Sequence, residues 1–134
     1  MQNFIYALIQ VVHNFGAVAV VGSAISALWL VRGDTAIQRR LALLIAMAWA
    51  IQAASGALFG IVTFYFEGQL PDIHGIAVDA LVIKIACAAM GFILAISYVS
   101  YSRWAVNKQV LAWRTSLVLG IVALSSAAFL RWFS

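Results

Sequence analysis

Apolar residues run along this chain in four long unbroken blocks, with no alternating strand pattern between them. The blocks are Phe4–Val31, Leu41–Phe66, Ile73–Ser102 and Thr115–Arg131. Each is at or above the ~17–25 residues a helix needs to cross a bilayer. The connections "RGDTAIQRR", "EGQLPD" and "RWAVNKQVLAWR" are short, so consecutive helices must run antiparallel. The pattern predicts an all-α polytopic membrane protein: one transmembrane domain over residues 1–134, a four-helix up-down bundle with lipid as its solvent.

Composition leaves no soluble alternative. Only 9% of residues are charged and 66% are hydrophobic, with a mean hydropathy of +1.05. A soluble surface takes about a quarter charged residues. The lone cysteine, Cys87, excludes an internal disulfide and a CxxC motif. The first block has no basic segment before it and is too long for a signal-peptide core, so no cleavable leader is expected.

The charges predict an orientation. Arg32, Arg39 and Arg40 flank the first connection; Arg103, Lys108 and Arg114 lie in the third. The positive-inside rule sets both on the cytoplasmic side. Glu67 and Asp72 mark the opposite side, which gives an N-out, C-out protein with both termini periplasmic in a bacterial inner membrane. Arg131 runs against the rule. The net charge of +4 is thus a topology signal, and no nucleic-acid partner is implied.

Element ends and packing residues can be read in part. Gly33-Asp34 and Gly68 break helices, and Pro71 suits the first turn of the third. Trp29, Trp104, Trp113, Trp132, Tyr65 and Tyr101 fall where an interfacial aromatic belt is expected. Gly56 and Gly60 form a GxxxG; close packing inside the bundle is the expected use, with a homo-oligomer contact as the alternative.

Candidate chemistry comes from polar residues inside the spans. His13 and Lys84 are each ~19 residues from Arg32 and Arg103, so both lie about 28 Å from the basic end. Asp79 and then His74 come further out, Asn14 adjoins His13, and Gln52 is expected deeper. Ionisable groups at such depth are functional hypotheses. Asp79 and Lys84 are five residues apart, about 140° around a helix with an ~100° step, so they cannot face one neighbour squarely.

At these residues the chain resembles the CopD-like (copper resistance protein D-like) family of four-helix inner-membrane proteins. "VVHNFGAVAVVGSAISALWL" is similar to its first helix, "RRLALLIAMAWAIQAASGALFG" to its second and "IHGIAVDALVIKIACAAMGFILAISYVSYSR" to its third. His13, Ser55, Gly56, Lys84 and Arg103 are the matching positions. The resemblance implies copper binding, translocation or homeostasis, often beside a periplasmic copper carrier. His13 is then the first ligand to a copper ion and His74 the capture residue at the mouth. Asn14, Asp79 and Lys84 would support the site. Cys87 and Met90, spaced i,i+3, are possible soft ligands, and Met47 lies too near the basic end to join His13.

Two other classes compete. The two histidines match the count needed to hold haem b in an electron-transfer protein, though His74 comes out ~15 Å beyond His13. An accessory subunit of a larger respiratory or oxidase complex would need no ligand. No nucleophile–base set, paired carboxylates or phosphate loop is legible, so chemistry of an enzyme's own is not expected.

Overall fold

The computed structural model describes residues 2–69, 71–101 and 105–133. Four helices account for nearly all of them: α1 (Gln2–Ile25), α2 (Thr35–Glu67), α3 (Ile76–Ser100) and α4 (Val106–Phe133). Each is long and apolar enough to cross a membrane, with α1 extended by a π-helical turn over Ser26–Leu30. The chain is an integral membrane protein folded as an up-down four-helix bundle. Chain neighbours pack together, α4 closes against α1, and α1 and α3 lie on a diagonal with no Cα atoms within 8 Å.

The bundle is small inside and large outside. Ala24, Ala27, Ala42, Ala46, Ala48 and Ala95 line its axis, whereas Phe15, Trp29, Leu30 and Ile93 are more than 60% exposed. Lipid gives helices no hydrophobic reason to associate, so close backbone approach has to supply the contact. Gly91 shows this directly: the indole of buried Trp49 lies on it, and a Cβ there would fall inside the indole's van der Waals surface.

Several boundaries differ from the hydropathy blocks. α2 begins at Thr35, capped by Asp34, whose Oδ1 accepts from the Ile37 amide at 3.0 Å. Arg39 and Arg40 therefore ride on the helix, because a helix of this length (33 residues, ~50 Å) outruns the hydrocarbon core. α4 likewise starts at Val106 and carries Lys108 and Arg114. α3 starts at Ile76, so Pro71 and His74 precede it. Gly68 ends α2 in a left-handed conformation at φ 72°, and Gly33, two residues past the Val31 cap of the π-turn, turns the connection at φ 88°.

Two packing expectations are corrected. A Cβ added at Gly56 or Gly60 would meet nothing within 4 Å, so neither is a point of close helix approach within the bundle. Trp113 is buried, 3% exposed, with its ring centroid 4.9 Å from that of Tyr98, and takes no part in an interfacial belt. Trp104 and Arg103 lie outside the described residues.

The basic end is tied by one side chain. In the π-turn the Val31 amide bonds back to Ser26 O, at 3.0 Å, which frees the Ala27 carbonyl. Gln38 Nε2 of α2 donates to that carbonyl at 3.2 Å, and Tyr98 of α3 donates to Gln38 Oε1 at 2.8 Å. The Tyr98 ring in turn packs against Trp113 of α4, tilted at 58°. All four helices meet there.

Gly91→Ala forces Trp49 out of its seat and should cost about 1–3 kcal/mol, whereas Gly56→Ala should leave stability unchanged or slightly raised. Thermal unfolding in detergent checks the contrast.

Candidate functional site

A second polar cluster forms near the end of the bundle that carries the termini. α1 brings His13, α2 brings Gln52 and Ser55, and α3 brings Lys84, eight residues or about 12 Å below the start of α3. Gln52 and Ser55 share a face at i,i+3 and are both buried in α2. Gly16 allows their approach to α1, since a Cβ there would press on the Gln52 amide and on Ala48 O.

The hydrogen bonds run in one direction. Ser55 Oγ donates to Ile51 O at 2.6 Å. Its single proton is thereby used, so at 2.7 Å it accepts from His13 Nδ1–H. That assigns the tautomer: Nε2 is left with its lone pair and accepts from Lys84 Nζ at 2.8 Å. The Gln52 side-chain amide donates to the His13 carbonyl. The Lys84–His13 bond crosses the diagonal between α1 and α3, where the backbones do not meet.

The arrangement fixes what each group can do. Lys84 and His13 are two bases joined by one hydrogen bond, so a single proton can reside on either. The Ser55 hydroxyl is not an activated nucleophile, because it meets the protonated ring nitrogen and gives its own proton to a carbonyl. This serine–histidine contact was not anticipated from sequence, although Ser55 lay at a position of family resemblance.

The other sequence candidates do not join the cluster. Asn14 is exposed and accepts from Gln10 Nε2 at 2.8 Å, on the outer face of α1. Asp79 is exposed and its carboxylate has no hydrogen bond or ion pair among the described residues, so it is not the partner of Lys84. His74 lies in the α2–α3 loop, over 80% exposed, with Nδ1 3.2 Å from Asp72 Oδ1. Cys87 is buried in the core, whereas Met90 is 52% exposed and turned away. No group of three or more His, Cys, Asp or Glu residues with metal-site geometry occurs among the described residues. Among the described residues, His13 Nε2 is the one imidazole lone pair at the cluster, and Lys84 Nζ occupies it.

Gln52 corrects a depth estimate. It sits beside His13, because a long amide reaches back along its helix to the neighbouring carbonyl. Further toward the termini, Tyr6 and Thr63 bond at 2.9 Å and extend the α1–α2 contact.

Lys84→Met and His13→Ala should be non-additive by about 0.5–2 kcal/mol in a double-mutant cycle. Asp79→Asn combined with Lys84→Met should be additive within ~0.5 kcal/mol. Denaturation in mixed micelles reads both.

No family model, curated protein or solved structure matches the chain, and its chemistry is therefore read from its own side chains.

Proposed function

We propose that this membrane protein works through a proton-exchange site made by His13 and Lys84, serving a transport or redox step in the membrane. The carrying observation is the 2.8 Å contact between Lys84 Nζ and His13 Nε2. Two bases share one proton there, and no carboxylate among the described residues pairs with either. Ser55 holds the imidazole in the tautomer that keeps Nε2 basic. Gln52 fixes the helix backbone from which the ring projects. A proton arriving at Lys84 can pass to Nε2 without rotation of either side chain, which is what a relay in a low-dielectric site requires.

The test is nitrogen-15 NMR of histidine- and lysine-labelled protein in lipid bilayers, with His74→Gln to leave one histidine. The Nδ1–H tautomer is expected in the neutral imidazole, with the His13 and Lys84 resonances shifting at a common pH. In Lys84→Met, His13 should titrate alone at a different pH. An Nε2–H tautomer in the otherwise wild-type chain, or independent titration of the two residues, would overturn the reading.

A second reading is favoured by the Ser55 contact. Ligating imidazoles hold their second ring nitrogen in a hydrogen bond of this kind. His13 Nε2 would then be offered to copper or a haem iron once Lys84 swings aside, the remaining ligands coming from a partner such as a copper carrier or a larger membrane complex. The described residues alone do not fit a closed metal site. Metal analysis and an optical spectrum of wild type and His13→Ala decide it: a metal or haem signal lost only in the variant supports ligation.

A further inference from the structure

The basic end of the bundle holds a cavity of about 610 Å³ between the π-turn, the start of α2 and α4. It is separate from the His13–Lys84 cluster and has no part in the proton chemistry. Arg32 and Arg114 both line it, and neither guanidinium has an ion pair or hydrogen bond among the described residues. Its remaining wall is mostly apolar: Trp29, Leu117 and Val118 continue from the cavity onto the lipid-facing surface, Trp29 being 65% and Val118 57% exposed.

We infer that this groove binds one anionic phospholipid, the headgroup phosphate held by Arg32 and Arg114 and an acyl chain laid along Leu117 and Val118. Charge complementarity selects the occupant. Two arginines without acidic partners beside an apolar trough match an anion that carries hydrocarbon, and guanidinium forks suit phosphate oxygens. Basic pockets between transmembrane helices at the headgroup level take such lipids. The π-turn forms one wall of the groove through Ala27, Leu28 and Trp29. An inorganic phosphate would gain the arginines but leave the trough empty. A zwitterionic lipid would fill the trough while adding a cation near the guanidinium groups.

Native mass spectrometry of the detergent-purified full chain tests this with phosphatidylglycerol, phosphatidylcholine of the same acyl chains, and inorganic phosphate. One phosphatidylglycerol should be retained about tenfold more strongly than phosphatidylcholine, with inorganic phosphate a poor competitor. Arg32→Gln/Arg114→Gln should weaken retention about tenfold, and Val118→Trp should also reduce it by filling the trough. Arg39→Gln/Arg40→Gln, an equal loss of charge at the same end of the bundle, should leave retention unchanged. Equal retention of the two lipids, effective competition by phosphate, or the same loss in the Arg39/Arg40 variant would overturn the proposal. So would a dimer that retains no lipid, which would mean that a second copy fills the groove.

Discussion

The bundle is governed by the absence of water in the middle of a bilayer. A polar group that one helix carries to that depth must be met by another helix, or remain unsatisfied at a cost of several kcal/mol. Each interior polar residue is therefore also a statement about which helices touch. His13 commits α1 to α2 through Ser55 and to α3 through Lys84. Gln38 commits α2 to the π-turn and to α3 at the opposite end. Small residues between these two levels let the backbones close, but they carry little information about register. The hydrogen bonds supply it.

The two polar levels differ in character. The Gln38 level contains only neutral groups and is buried; the carboxamide donates to one side and accepts on the other. The His13 level carries a potential charge, and Lys84 has an imidazole as partner where a carboxylate would have neutralised it. A positively charged lysine there keeps its charge uncompensated within the described residues. This disfavours a bare metal cation at His13 for as long as Lys84 is protonated.

Hydropathy reports lipid contact directly, which is why the number of spans and the all-helical class were legible without the structure. It does not report where a helix stops. Arg39, Arg40 and Lys108 are polar and were read as connection, yet helices continue through the headgroup layer with such residues on them. Depth could be counted along the chain, and the count gave His13 and Lys84 the same level; azimuth could not. Trp113 lies at an interfacial height but turns inward, and Gly56 and Gly60 have a packing motif but turn outward. Gln38 was missed because it lies within what reads as a basic loop. Asp79 was a natural partner for Lys84 by charge, but a carboxylate five residues away on the same helix points elsewhere, and a histidine across the bundle was nearer.

The π-turn has a consequence for the ancestry of the chain. Five residues per hydrogen-bonded step in place of four is the geometric trace of one inserted residue. Deleting any one residue of Ser26–Leu30 would restore an ordinary α-helix and return the Ala27 carbonyl to an intrahelical amide. Gln38 Nε2 would then keep only its longer contact on that side, to the Val31 carbonyl at 3.4 Å. The extra residue therefore gives the glutamine its shorter carbonyl contact, and a relative without that residue would align to this chain with a single gap at the end of its first helix.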